Sequence, residues 1–525
     1  MTITKAVRWT AVAVFAALVV LTIVAALGSR TDPLRRLVVS TLAERLDSDV
    51  ELKAFSVDTF PRVVVQGEGL VLRLRGQPPG TPPLIQIASF TVRTGLLDLL
   101  SRPRRFRTVT LDGLIVNIPA GGLKRGIAQL TGDPEPSSDS AANAPREKSP
   151  IMIDELQTEN ALLRIIPRRE GKVPREFAIH ALSMRTLGLA EQMPFTASLT
   201  NPVPKGQIET TGTFGPWEKE DPAKTPVSGS YSFQNADLGT IKGLGGILNS
   251  TGAFDGTLER IAVKGDTHSP NFQLDISGQP VALSTSFDAV VDGTDGDTYL
   301  NTVNAQFLKT TVIAKGAVVG IKGVRGRKVQ LHVRIPEGRV EDLLHLAVKN
   351  QKPLLLGRVG LTTEFLLPPG EGDVIQRLEL AGKFDVDAAR FTNAEIQRKL
   401  AGMSHRARGR DPDDKADNVV SDLSGTFQLR DGSLRFKNLA FAIPGAVVQL
   451  SGSYALKSGA LYFDGTVRMQ ATISQAAGGG IKGFFLKLVD PIFRKKGAGA
   501  IIPIKVRGTR DDPKFGVDVG RILRQ

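Results

Sequence analysis

Apolar residues recur at every second position over much of this chain. Val50, Leu52 and Ala54, then Val63 and Val65, alternate with other residues, and Leu70, Leu72 and Leu74 alternate against Val71, Arg73 and Arg75. A period of two sends successive side chains to opposite faces of a strand, so these runs predict half-buried β-strands. Residues 84–93 and 108–118 read the same way. The clearest stretch is 423–473. There Asp431-Gly432, Pro444-Gly445 and residues 457–459 punctuate the runs LSGTFQLR, SLRFKNLAFAI, AVVQLSGSYAL and ALYFDGTVRMQATIS. Turns this short join antiparallel neighbours, which makes a meander.

Within such runs a four-residue pattern recurs: a small residue, Gly, any residue, then an aromatic. It occurs at Thr211-Gly212-Thr213-Phe214, Ser228-Gly229-Ser230-Tyr231, Ala381-Gly382-Lys383-Phe384, Ser424-Gly425-Thr426-Phe427 and Ser451-Gly452-Ser453-Tyr454. Glycine inside a strand marks a bend, a bulge or a close backbone approach. The recurrence predicts similar curved strands laid side by side, without a period regular enough for a true repeat.

Helical spacing is scarce. Asp32-Pro33 supplies an N-cap and a first helical residue, and Leu34, Leu37, Val38, Leu42 and Leu46 follow at helical intervals. Ile241, Leu244, Ile247 and Leu248 predict a second helix, and Val340, Leu343, Leu344 and Ala347 a third. Thr392 and Glu395 have capping-box spacing ahead of Ile396 and Leu400. Residues 402–421 read as a charged loop. Residues 131–150 (TGDPEPSSDSAANAPREKSP) read as a disordered linker with no apolar period.

One segment departs from both periods. From Trp9 to Ser29 no residue is charged. A helix of that length covers about 31 Å, enough for a bilayer core of roughly 30 Å. Signal peptides carry shorter apolar regions, so an uncleaved anchor is expected, although Ala26-Leu27-Gly28 has the small residues of a cleavage site. Basic residues flank the span on both sides (Lys5 and Arg8, then Arg30, Arg35 and Arg36), so counting them does not orient it.

Composition narrows the chemistry. The 525 residues are 41% hydrophobic, which supports a sizeable core. With no cysteine there is no disulfide framework, thiolate metal site or cysteine nucleophile. The formal charge of +14 points to an anionic partner: a membrane surface, nucleic acid or a polyanion. Five histidines (His180, His268, His332, His345, His405) are scattered, and no G-x-S-x-G, H-E-x-x-H or Walker A pattern occurs. The G-x-G-x-x-G match at 478–483 lacks a βαβ setting and reads as a hinge. Asp292, Asp295 and Asp297 depart from calcium-loop spacing and read as hairpin turns. No enzyme, cofactor or metal is expected.

Between Ile481 and Arg510 eight basic residues stand against one acid, Asp490. On a helical wheel Phe484, Phe485, Leu486, Leu488, Val489, Ile492 and Phe493 share a broad arc, with Lys487, Asp490 and Arg494 opposite. A basic helix with a Phe/Leu face has the character of an interfacial membrane contact, and a core-packing helix has the same pattern. Asp490-Pro491 divides it into a kinked pair. The expected membrane or lipid contact residues are therefore Lys482, Phe484, Phe485, Lys487, Leu488, Ile492, Phe493, Arg494, Lys495 and Lys496. The hinge is expected at Gly478, Gly479, Gly480 and Gly483.

Two regions resemble a known family. The N-terminal layout of a span, LRRLVVSTLAERLDSDVELKAFSVDTFPRVVVQGEGLVLR and LIQIASFTVRTGLLDLLSRPRRFRTVTLDGLIVNI is one. The C-terminal LSGTFQLRDGSLRFKNLAFAIPGAVVQLSGSYAL, leading to FFLKLVDPIFRKKGAGAIIPIKVRGTRDDPKFGVDV, is the other. Together they are similar to the AsmA family of bacterial envelope proteins, related in architecture to TamB and to the bridge-like lipid transfer proteins. The resemblance implies an inner-membrane anchor, a periplasmic body and a curved β-groove whose apolar face takes acyl chains. It implies a part in moving phospholipid toward the outer membrane or in envelope assembly, and no catalytic residues. The chain is much shorter than the longest bridge members.

The expectation is thus a mainly β protein: one N-terminal transmembrane helix, then an elongated, curved, groove-like antiparallel sheet with a few short helices. Its regions are an anchor (1–29), an N-terminal β region (30–130), the linker (131–150), a central β body (151–420) and a C-terminal β region with the basic segment (421–525). Phospholipid or another acyl-chain lipid, a membrane and envelope proteins are the expected partners, with no nucleic acid. The alternative is a non-catalytic assembly factor for outer-membrane proteins, its body a closed β-sandwich.

Overall fold

The computed structural model describes residues 35–36, 38–40, 43, 48–58, 62–74, 82–101, 103–118, 151–165, 175–188, 191–218, 221–321, 324, 326–349, 352–370, 372–408, 419–470, 501–510 and 512–517. Among them 26 strands belong to one hydrogen-bonded sheet, and the protein is mainly β. Neither the span at 1–29 nor the linker at 131–150 falls within the described residues, and among these no helix is long and apolar enough to cross a membrane. Contacts divide the chain into two compact units. The first takes in Met1–Leu238, Leu248–Asp266 and Asp288–Thr298; the second takes in Gly239–Ile247, Thr267–Phe287 and Tyr299–Gln525.

In the first unit β1 (Ser48–Glu51) and β2 (Ala54–Asp58) both run antiparallel to β3 (Val63–Leu74), which pairs with β4 (Ile85–Thr94). The predicted strand at 108–118 is two strands, β5 (Arg104–Asp112) and β6 (Ile115–Ile118), both paired with β4. Gly113 separates them at a φ of 61°, which a residue with a Cβ adopts at a cost. β7 (Ile151–Ile165) then runs parallel to β5 and β6. That corrects the expectation of a wholly antiparallel sheet. A parallel neighbour needs a crossover of a dozen residues or more, and the chain between Ile118 and Ile151 is long enough to supply one. From there β8 (Arg175–Leu187), β9 (Met193–Pro202), β10 (Lys205–Phe214) and β11 (Pro226–Asp237) each run antiparallel to the strand before.

The core of this unit sits at its N-terminal end. Val50, Leu52, Val63, Val65, Leu70 and Leu72 bury one face of β1–β3 against Val92, Phe106 and Val109, with Val38 and Leu99 laid over them. Val38 belongs to the predicted amphipathic helix, of which Arg35, Arg36, Val38, Val39, Ser40 and Ala43 are described and helical. Leu99 lies on α1 (Leu96–Leu100), a short helix that apolar periodicity did not predict. Asp98 fastens α1 by accepting from the Gly95 N–H at 3.2 Å and the Arg107 Nε at 2.8 Å. The hydrogen-bonded Arg107 guanidinium holds the Asp98 carboxyl below its ordinary value. A depressed carboxyl contributes stability above its unfolded pKa and loses it as pH falls through the folded one.

Strands β12 (Leu244–Gly245), β13 (Ile247–Thr257), β14 (Arg260–Leu274), β15 (Val281–Val291) and β16 (Thr298–Phe307) follow. The helix predicted from Ile241 to Leu248 is absent. A 3₁₀ turn at Leu238–Thr240 leads into β12 and β13 instead, because Gly243 (φ 99°) and Gly246 (φ 111°) break helical backbone.

The second unit is a plain meander. β17 (Thr310–Gly320), β18 (Arg327–Arg339), β19 (Leu355–Leu367), β20 (Glu379–Phe391) and β21 (Ser421–Arg430) each pair antiparallel with the next. So do β22 (Ser433–Ile443), β23 (Ala446–Ala455), β24 (Leu461–Met469), β25 (Ile501–Gly508) and β26 (Pro513–Val517). Three helices interrupt it: α2 (Val340–Ala347), α3 (Val374–Arg377) and α4 (Ala394–Ala407). α2 is the helix predicted from Val340 to Ala347. α4 begins one residue later than a Thr392 cap would place it, since the Thr392 hydroxyl donates to Pro353 O at 2.6 Å instead. It also corrects the charged-loop reading of 402–407. The short residues Ala401, Ser404 and Ala407 let α4 lie close over the sheet, and the Ser404 hydroxyl donates to Pro444 O at 2.7 Å.

α2 is pinned by a buried carboxylate. Asp342, 6% exposed, accepts from Lys309 N at 3.0 Å and from the Thr310 hydroxyl at 2.8 Å; Thr310 Oγ1 in turn accepts from Arg339 N at 2.9 Å. Asp342→Ala strands two donors in a dry site. We expect a loss of about 1–3 kcal/mol, read as a lowered urea midpoint with an unchanged slope.

Candidate functional site: an apolar sheet face

Strand alternation builds one apolar and one polar face in each unit. In the first, Met193, Phe195, Ala197 and Leu199 of β9 stand opposite Phe214, Gly212, Thr210 and Ile208 of β10. Those in turn face Val227, Gly229, Tyr231 and Phe233 of β11. The reverse face of the same strands carries Ser198, Glu209, Thr211, Ser230 and Ser232, which line a shallow open depression. Phe195, Leu199, Ile208, Tyr231 and Phe233 are only half-buried, and among the described residues no cluster of buried residues forms over them.

The second unit repeats this over more strands. Val329, Leu331 and Ile335 of β18 pair with Leu367, Phe365 and Leu361 of β19, and the row continues through Leu380 and Phe384 of β20. Rings then form a strip across the sheet: Phe427 to Phe384 at 6.1 Å, Phe384 to Phe436 at 6.2 Å, Phe436 to Phe463 at 5.9 Å. The opposite face is mostly polar, with His332 against Glu364 at 2.7 Å and Arg507 against Asp464 at 2.8 Å, and it also exposes Leu356, Val447 and Tyr462.

The recurring glycine–aromatic pattern belongs to this face. Gly and aromatic are two residues apart, so they share a side of the strand. In β20 and β21 the pattern pairs with itself, Gly382 opposite Phe427 and Phe384 opposite Gly425; β10 and β11 pair Gly212 with Gly229. A Cβ at Gly212, Gly229, Gly382, Gly425 or Gly452 would lie 2.1 to 2.7 Å from a neighbouring strand's carbonyl oxygen. These are close backbone approaches, one of the three readings that glycine inside a strand allows. The rings fill the space beside them, as Phe463 does at Gly452 and Phe254 at Gly229.

Part of the second unit's face is covered. α2 closes Val340 over Leu355, Val359, Val386 and Ala389. α4 closes Ala401 and Ala407 over Ile443, Ala446, Val448 and Val467. His405, 3% exposed on α4, has no hydrogen-bond partner on either ring nitrogen. Both helices belong to connections at one edge of the sheet, where β18, β20, β22 and β24 end. Toward the other edge Val329, Leu331, Phe365, Leu380, Leu434, Tyr454 and Leu461 remain half-exposed.

The residues predicted to touch a membrane or lipid (Lys482, Phe484, Phe485, Lys487, Leu488, Ile492, Phe493, Arg494, Lys495, Lys496) lie outside the described residues, as do Gly478, Gly479, Gly480 and Gly483. Their stems are described. Arg468 of β24 pairs with Ile501 of β25, and Met469 and Ile502 pack in the cluster under α4. The segment therefore leaves and rejoins the sheet at the helix-covered edge. Asp292, Asp295 and Asp297 form a hairpin turn, with Asp292 Oδ1 accepting from Thr294 N at 2.8 Å and Asp295 Oδ1 from Asp297 N at 2.9 Å. Among the described residues no three His, Asp or Glu side chains gather as a metal site.

Fold and face define a large β-sheet protein whose apolar face, among the described residues, is covered by α2 and α4 only in part. Compared with known proteins, the chain matches no family model, no curated protein and no solved structure.

Proposed function

We propose that this protein is anchored in the bacterial inner membrane by residues 1–29, holds its body in the periplasm, and binds or transfers phospholipid along the apolar sheet face. The observation that carries the reading is the row of half-exposed Leu, Val and Phe side chains on β18–β24, beside two helices that cover one edge alone. Soluble proteins rarely leave contiguous apolar patches above a few hundred Å² open to water, because each Å² costs about 25 cal/mol. Acyl chains satisfy such a face without asking it for hydrogen bonds, and the polar reverse face suits water.

The resemblance to the AsmA family supports the same reading. So does the basic segment, whose stems sit at the helix-covered edge. Each lysine or arginine near an anionic surface contributes about 1 kcal/mol, which makes a reversible contact. Mass spectrometry of the protein purified without detergent, from a chain lacking 1–29, tests the proposal. Stoichiometric co-purifying phospholipid is the expected result. A lipid-free, monodisperse body would overturn it.

A further inference from the structure

We propose that the reverse face of the second unit's sheet carries a binding site for an acidic saccharide, centred on Tyr462 and running across β22–β26. The site does not rest on the lipid reading, which concerns the other face of the same strands. Its frame is a register row. Arg435 of β22 stands opposite Ser453 of β23, and Ser453 opposite Tyr462 of β24. The pairing of Phe463 with Val506 carries the row on to Arg507 of β25, which stands opposite Lys514 of β26. Tyr462 is 59% exposed. The Arg507 guanidinium lies 3.7 Å from its ring centroid, held by Asp464 at 2.8 Å and by Val506 O at 2.9 Å. One face of the ring is thus backed by a fixed cation, and its exposure leaves the other open. Ser451 and Ser453, on the strand beside it, are short and turn their hydroxyls to the same side. Arg435 and Lys514 each stand two strands from Tyr462, about 10 Å to either side.

Every charged side chain described on β21–β26 stands on this face. Arg430, Arg435, Lys437, Arg468, Lys505, Arg507 and Lys514 meet only Asp422 and Asp464 there. Arg430 is taken by Glu379 of β20 at 3.5 Å, and among the described residues no acid pairs with Arg435, Lys437 or Lys514. The turns beyond the row add Lys457 and Arg510 against Asp431 and Asp512, and β20 adds Lys383 and Arg390 against Asp385 and Asp387, so neither cancels the surplus.

These features together choose the occupant. An open aromatic ring receives the C–H side of a sugar ring, and serine hydroxyls match sugar hydroxyls. Guanidinium and ammonium groups on either side match carboxylates or phosphates on the flanking units. A bilayer surface needs apolar side chains that enter it, and the row offers none besides the tyrosine. Single-stranded nucleic acid stacks successive bases on successive rings, and the row holds one ring. A neutral glycan leaves the cations unanswered.

Titration calorimetry of the full-length chain in a polyoxyethylene detergent tests the proposal. Trigalacturonate is the probe, maltotriose its neutral counterpart and oligothymidylate the nucleic-acid counterpart. We expect saturable binding of trigalacturonate alone. Tyr462→Ala and Arg435→Gln should each weaken it about fivefold or more, while Tyr462→Phe keeps the wild-type affinity. Arg468→Gln, a cation at the far margin of the same face opposite Ile501, should change it less than about twofold. Absence of trigalacturonate binding overturns the proposal. Equal weakening by Arg435→Gln and Arg468→Gln overturns it too, because that marks diffuse charge attraction. Tight binding of oligothymidylate that Tyr462→Ala abolishes overturns the saccharide assignment in favour of nucleic acid. If Tyr462→Ala lowers the unfolding temperature, Arg435→Gln and Ser453→Trp, which fills the space beside the ring, carry the test; unchanged affinity in both overturns the site.

Discussion

Leu331→Asp combined with Phe365→Asp is expected to strip the purified protein of at least nine-tenths of its bound phospholipid. The two residues face each other across β18 and β19 on the part of the apolar face that α2 and α4 do not cover. Each apolar side chain contributes about 1.5–3 kcal/mol to an acyl-chain contact, and a carboxylate placed there adds a desolvation cost. Together they exceed the roughly 2.8 kcal/mol that a hundredfold loss of affinity requires. Both positions are half-exposed without lipid, so the fold should lose only about 1–2 kcal/mol. Gln330→Asp, on the reverse face of β18, is the control and should leave lipid content unchanged. Phospholipid phosphate assayed per mole of protein decides it. Equal lipid in all three proteins sinks the groove reading.

Val386→Asp should be the most damaging single substitution at the covered edge. Val386 is 1% exposed and packs with Val340, Leu355, Val359 and Ala389 beneath α2. An unpaired carboxylate there has no donor to meet, and the cost is about 4 kcal/mol or more. The expected readout is loss of hydrogen-exchange protection in β19, β20 and α2, with β8–β11 still protected. A variant that keeps its α2 protection would show that this helix is not part of the cooperative core.

Much of the strand pattern was legible in the sequence, because alternation survives wherever one face is apolar. The runs read within 423–473 correspond to β21–β24, and the turn pairs Asp431-Gly432 and Pro444-Gly445 fall between strands as expected. α2 was legible for the same reason, since Val340, Leu343, Leu344 and Ala347 mark a helical face. Other elements follow rules that apolar spacing does not carry. α1 is five residues long; its local signal is only Asp98 reaching back to the Gly95 N–H, and Arg107 of the next strand completes the hold, so apolar spacing does not mark it. The false helix at 241–248 had four well-spaced apolar residues, and positive φ at Gly243 and Gly246 outweighed them. Residues 402–407 read as the start of a charged loop over 402–421, and Gly402 is a poor helix former. Close packing of Ala401, Ser404 and Ala407 on the sheet overrides that preference.

The candidate site divides along the same line. The glycine–aromatic pattern left a bend, a bulge or a close approach open, and only register shows that Gly382 and Phe384 answer Phe427 and Gly425. Whether a face is covered depends on what packs over it, and α4 reaches strands whose sequences lie far ahead of its own. That part of the site could not be read from periodicity.

In the second unit each strand from β18 to β26 pairs with its immediate predecessor, and the polypeptide returns to the same margin after every second strand. Loss of β22 and β23 together would bring the end of β21 beside the start of β24, with inward and outward residues still in phase. Loss of one strand alone would deliver the chain to the wrong margin. Hairpins are thus interchangeable modules here, each worth about 10 Å of width. Duplication or deletion of such a module can change the reach of the sheet across evolutionary time while its greasy side stays continuous.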